Sequence, residues 1–334
     1  AKLLLKSAKM QPNPFLIRHH FDDIDDFSQT ARAWNLNIDQ LERGKFKADL
    51  LQFGTRDVVI AHADFYPGTY QRGEPPAGLK TFAILADPLC HLTWRRKKIP
   101  ANAVMAFPPD AELDAVSQRG KFEIFTLSFT DELLADVCQS LGFREEKKLL
   151  NTKGVIAVKA QVMNELRLFL HQISSELRER MVKIKILPRT YELEFNLARN
   201  LLTALSCSQE KMPRRHLRTR DIALKRVEDY LEAFPNLPHT VRDICRVASV
   251  SERTMEYAFR ERLGISPKSY LLAKRLNGVR RELKNGDPVS TTITNLATQW
   301  GFWHMGQFAK DYRKFFGELP SETIGKKKLK SQRV

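Results

Sequence analysis

No apolar run in this chain approaches the roughly 20 residues needed to cross a bilayer. The opening AKLLLKSAKM has only Leu3, Leu4 and Leu5 as an apolar block, too short for the core of a secretory leader. A soluble, cytoplasmic protein without membrane contact is the expectation. The chain opens on Ala1 rather than Met, and its natural start is read as trimmed or missing. Cysteine is scarce: Cys90, Cys138, Cys207 and Cys245 form neither a CxxC pair nor a metal-ligand spacing. They read as free thiols of a reducing compartment. There is no Gly-rich phosphate loop, no nucleophile elbow and no cysteine cluster suited to alkyl transfer. Metal-binding barrels need a His-x-His with further His or Glu ligands. This chain offers only His62-Ala63-Asp64 and an isolated His91, so no metal, no cofactor and no enzymatic activity are expected.

Positive charge, by contrast, is abundant and unevenly placed. The 334 residues carry a net charge of +16. From Lys211 onward there are 26 Lys and Arg against 13 Asp and Glu, whereas the first 210 residues hold 29 against 26. A basic excess in the last third points to a polyanionic partner or to a generally basic solvated face. Length alone allows two domains with separate cores.

The texture of the chain changes along its length. An acidic patch, Asp22-Asp23-Ile24-Asp25-Asp26, precedes an expected short helix over 31–36. From 44 to 129 the chain reads as short alternating segments, with strands expected at 46–53, 57–63, 80–85, 90–94, 104–107 and 122–129. Turn-rich pieces such as Pro67-Gly68 and RGEPPAG at 72–78 separate them. Many short strands at this spacing point to an antiparallel barrel or sandwich. Helical periodicity takes over near Thr130, a fitting N-cap, and runs through three helices to about 205. The stripe Val162, Leu166, Phe169, Ile173 and Leu177 on the longest of these is core, with contact to a second copy as the minority reading. Residues 211–220, polar and basic with Pro213, read as a linker between a domain at 1–210 and one at 221–334. The fold class is therefore α+β: a β-barrel with helices, then an all-α domain.

In the all-α domain a single pattern occurs twice. SERTMEYAFRERLG at 251–264 and HMGQFAKDYRKFFG at 304–317 have the same length and start 53 residues apart. Each has an apolar fifth residue, Met255 or Phe308, and an aromatic ninth, Phe259 or Tyr312. Each ends on Gly with Pro three residues later. A short amphipathic run precedes each, as in a helix-turn-helix unit. A long helix from Pro267 bridges the two, and a rigid bridge can present both second helices to successive major grooves, about 34 Å apart.

Residues 221–324 resemble the DNA-binding domain of AraC/XylS-type transcriptional regulators. The resemblance rests on Ile293, Leu296, Ala297, Gly301-Phe302, Phe308, Tyr312, Arg313-Lys314, Gly317 and Pro320. It departs at Trp303-His304, where Ser or Thr-rich residues are usual, and at Leu319. TQWGFWHMGQFAKDYRKFF is especially similar to the ethanolamine operon regulator branch. Membership implies a regulator that binds double-stranded DNA, engages RNA polymerase and carries a cupin-like sensing domain for a small-molecule or protein effector. A homodimer fits the same expectation.

Core positions on each second helix leave an outward set. On the first this is Arg253, Glu256, Tyr257 and Arg260. Arg253 can fork onto a guanine, Glu256 accept from a cytosine amine and Tyr257 meet a thymine methyl or a phosphate, while Arg260 suits a phosphate. On the second it is Met305, Gly306, Ala309 and Lys310, poor in hydrogen-bonding groups. His304 is expected to cap this helix. The first unit is thus expected to read bases and the second to position. The tail Lys326-Lys327-Lys328-Leu329-Lys330 either adds salt-dependent affinity or only solubilises.

In the first domain, Trp94-Arg95-Arg96-Lys97-Lys98 either forms a charged hairpin turn or holds an anionic effector, such as a nucleotide, by charge and stacking. The rival to a sensing regulator is a non-sensing architectural protein that binds all DNA alike.

Overall fold

The computed structural model describes residues 14–31, 34–108, 112–118, 120–143, 150–151, 153–180, 190–208, 219–235, 237–286 and 292–324. Most of the expected linker and the whole basic tail lie outside these. Among the described residues no helix is long and apolar enough to cross a membrane.

The first domain is built on two antiparallel sheets. One has the order β1 (Phe15–Phe21), β3 (Lys47–Gly54), β4 (Val58–Tyr66), β11 (Phe122–Phe129), β6 (Lys80–Leu85), β9 (Ala103–Ala106) and β12 (Gly154–Ala157). The other runs β2 (Asn35–Gln40), β5 (Thr69–Glu74), β10 (Leu113–Gln118), β7 (His91–Trp94) and β8 (Lys97–Lys98). Among the described residues hydrogen bonding does not close the strands into one barrel, so the expected barrel is corrected to an open two-sheet sandwich. The larger sheet is buried on both faces, and strand alternation sorts its side chains. Ala61, Ala63, Phe65 and Phe122 join the core between the sheets. Val58, Ile60, Phe125, Leu127 and Phe129 join a second core under helices α2 (Asp131–Ser140), α3 (Ala160–Arg180) and α4 (Thr190–Ser206). Thr130 caps α2, its hydroxyl accepting from Leu133 N–H.

Five segments differ from the expectation. The short helix is α1 (Ile24–Thr30), started by Asp23, whose carboxylate accepts from the N–H groups of Asp25 and Asp26. Residues 35–40 are strand instead, because β5 pairs with them along their whole length. β5 and β10 lie in stretches with little apolar alternation, and β1 precedes the expected barrel.

The second domain is helical: α5 (Thr219–Ala233), α6 (Val241–Ala248), α7 (Glu252–Leu263), α8 (Pro267–Asn285), α9 (Ile293–Gln299) and α10 (Met305–Phe316). The 19-residue α8 spans about 28 Å and serves two cores. Tyr270 and Leu271 pack with Met255, Phe259 and Leu263 of the first unit. Ala273, Leu276, Val279 and Leu283 pack with Phe308, Tyr312 and Phe316 of the second. Both second helices end on a left-handed glycine, Gly264 at φ 72° and Gly317 at φ 74°, as their matched positions require.

The smaller sheet turns its outer face to this helical domain. Leu41, Tyr70 and Val116 belong to the same core as α5 to α7. Around that contact the interface is ionic. Arg280 on α8 donates to Asp23 at 2.7 Å and Asp25 at 2.9 Å. Arg281 donates to the buried Asp39 at 2.6 Å. Burial alone would raise the Asp39 carboxyl, but Arg281, Lys274 and Arg72 hold it below the usual carboxylate range.

Candidate nucleic-acid interface

α7 has two opposite faces, set by what its neighbours demand. Arg262 points to the sandwich, buried, and donates to Asp114 at 2.7 Å with Glu228 of α5 at 3.1 Å. Arg253, Tyr257 and Arg260 point to solvent, with Glu256 half-buried between them. These outward groups are organised among themselves. Arg260 Nε lies 2.6 Å from Glu256 Oε1, one turn away. The Tyr257 ring is flanked by the guanidinium groups of Arg220 at 5.4 Å and Arg253 at 5.8 Å. The structure therefore brings the four sequence-chosen residues of this helix together, and docking on the sandwich leaves them uncovered.

On α10, Gly306 and Lys310 are exposed, with Met305 and Ala309 half-buried beside them. A Cβ at Gly306 would meet nothing within 4 Å, so this surface is flat and open. His304 occupies the N-cap position, but its ring makes no cap hydrogen bond, which corrects the expected capping role. Trp303, just ahead, is 71% exposed. It was legible only as a departure from the family pattern. Gln307 is also outward, tied to Asp311 at 3.0 Å.

The effector residues separate. Arg95 and Arg96 form the β7–β8 turn, both at positive φ (46° and 64°), and Arg96 reaches Glu228 at 3.5 Å across the domain boundary. Lys97 is half-buried on β8. The Trp94 indole instead turns into the space between the sheets. It lines an apolar cavity of about 70 Å³ together with Phe27, Trp34, Met105, Phe107 and Phe122. Trp94 is 2% exposed, and among the described residues its Nε1–H has no hydrogen-bond partner. The sequence joined Trp94 to the cations because they are contiguous; strand alternation sends the indole the other way.

His62 finds a partner outside its own His62-Ala63-Asp64 stretch. Its Nε2 lies 2.7 Å from Glu123 Oε1 on β11, and this hydrogen bond, against partial burial, holds the Glu123 carboxyl below its usual range. His91 lies on β7.

A helix-turn-helix domain family matches residues 244–326. The chain is 40% identical over 96 residues to the probable thc operon regulatory protein of Rhodococcus erythropolis, 29% of either chain. It is 33% identical over 106 residues to XylDLEGF operon transcriptional activator 2 of Pseudomonas putida, covering 32% of this chain and 68% of that protein. The chain thus spans less than a third of the Rhodococcus relative's length. Among solved structures, that of the AraC-like transcriptional activator CuxR is similar at 13% identity over 84% of this chain and 99% of that one, with a TM-score of 0.39.

Proposed function

The chain belongs to the AraC/XylS-type transcriptional regulators, and on that premise we propose that it is a sequence-specific activator whose helices α7 and α10 enter successive major grooves. The observation that carries this reading is the shared helix α8: its two halves are core to the two units, so their separation is held by one rigid rod. Arg253, Glu256 and Tyr257 read base edges, with Arg260 on a phosphate, and Met305, Gly306, Ala309 and Lys310 position the second unit. RNA polymerase is the partner through which such a regulator acts, and a homodimer is the assembly proposed, although the α3 stripe Val162, Leu166, Phe169, Ile173 and Leu177 is core of the first domain. Within the family, the segment TQWGFWHMGQFAKDYRKFF leads this proposal to place the chain in the ethanolamine operon regulator branch.

The first domain is the sensor in this reading. The apolar cavity between its sheets marks where a small apolar effector would enter; at about 70 Å³ it would have to widen to hold one. Its signal passes to α8 through α1 and β2, whose Asp23 and Asp39 hold Arg280 and Arg281.

A competition band shift of promoter fragments against scrambled DNA at fixed salt tests the proposal. Roughly a thousandfold preference for one fragment is expected. A ratio near one identifies an architectural protein instead.

A further inference from the structure

His62, Glu123 and His171 come from three separate elements, β4, β11 and α3, and meet on the face of the larger sheet that lies away from the helical domain. Each offers one ligand atom, and these atoms all lie within 4.8 Å of one another. We propose that His62, Glu123 and His171 form a binding site for a divalent transition-metal ion of the zinc type, which clamps α3 to the sheet.

Two imidazoles and one carboxylate are a donor set for zinc and its neighbours rather than for calcium or magnesium, which take oxygen ligands. The surroundings hold the ligands in place. Arg167 and His171, one helical turn apart on α3, bond to successive carbonyls: Arg167 Nε donates to Leu85 O at 2.9 Å and His171 Nε2 lies 3.3 Å from Ala86 O. A carbonyl only accepts, so this contact keeps the proton of a neutral His171 on Nε2 and leaves the Nδ1 lone pair free. Such an outer partner is what orients metal-bound histidines. The His62 ring is fixed by Phe125, whose ring centroid is 4.3 Å away.

His62 is 6% exposed, and it is its Nε2, 2.7 Å from Glu123 Oε1, that faces the other two ligands. Neither Glu123 nor His171 is fully buried, so the remaining coordination position opens toward solvent, where water completes a four-coordinate ion. The site differs from the His-x-His arrangement sought in the sequence. It sits outside the sandwich, and its third member lies 109 positions beyond His62. The sequence-based expectation of no metal rested on local spacing alone.

The test is Co²⁺ and Zn²⁺ titration of the chelator-treated full-length protein, with Zn²⁺ measured in competition with a chromophoric chelator. One ion per chain is expected, with the visible absorption of four-coordinate Co²⁺. His171→Ala, at a position that is not fully buried, is expected to weaken Zn²⁺ binding at least tenfold. His20→Ala, which removes the separate His20–Asp49 pair, leaves it unchanged. Saturating Zn²⁺ is expected to raise the melting temperature of the wild type and of His20→Ala but not of His171→Ala. Equal affinity in the wild type and His171→Ala, or no binding in competition with the chelator, overturns the proposal.

Discussion

The side-chain amide of Asn277, in the middle of α8, pairs with the backbone of Gln40 at the end of β2. It accepts from Gln40 N–H at 3.1 Å and donates to Gln40 O at 2.8 Å. Gln40 in turn donates its own amide to Phe315 O at 2.8 Å, so one strand end holds both α8 and α10. Asn277→Leu leaves two buried backbone groups unpaired, each costing about 1–3 kcal/mol. Urea unfolding is expected to show a loss of that size, and limited proteolysis to show cleavage between the domains before either is degraded.

The Arg280 guanidinium is buried against Asp23, Asp25 and Glu318. Removing one partner of such a buried network strands the others, and Arg280→Met is expected to cost about 3–5 kcal/mol. The acid side carries a second expectation. Burial opposes ionisation of Asp23, yet Arg280 and Lys284 hold its carboxyl well below the usual range. Its folded pKa is thus below its unfolded one, so the tie is fully present above about pH 4 and is lost as pH falls through the folded value. The stability gap between wild type and Asp23→Asn should be flat from pH 5 to 8 and narrow below pH 4, as read from denaturation midpoints.

Gly278 is where α8 accepts Trp300. A Cβ there would lie 2.1 Å from the indole, whose Nε1 donates to Glu282 at 3.0 Å. Alanine gains about 1 kcal/mol of helix propensity over glycine, but overpacking costs about 1–3 kcal/mol. Gly278→Ala is expected to be net destabilising and to shift tryptophan emission. Adding Trp300→Phe should give a double variant more stable than the sum of the two single changes.

The two reading helices should respond differently to truncation. Arg253→Ala is expected to weaken cognate binding by about 1–3 kcal/mol while barely changing affinity for scrambled DNA. Lys310→Ala should weaken both alike and lower the salt slope by about one. Band-shift titrations across salt concentrations check both. Equal loss on both DNAs for Arg253→Ala would remove base reading from that residue.

Much of this was legible where local chemistry decides. The strands at 80–85 and 122–129 match the structure because apolar and β-branched residues face two buried cores. The duplicated units were legible because Gly264 and Gly317 must take the left-handed cap. What was missed is non-local. The sequence ARAWNL has helical propensity, but 35–40 are strand because β5 lies alongside. β5 itself carries Gly73 at φ 147°, close against Asn35 backbone, which reads as a loop. Nothing in sequence spacing links Arg280 to Asp23, 257 residues away, or His62 to Glu123. The domain interface becomes visible only when the chain is folded.

In the proposed function, α8 sets α7 and α10 at a fixed spacing as one rod. Selection of binding sites from random-sequence DNA by the full-length protein tests it most directly. A bipartite site is expected, its two conserved blocks centred about 10 bp apart, one turn of duplex, with Arg253→Ala relaxing one block only. A single short block, or no enrichment at all, would contradict it.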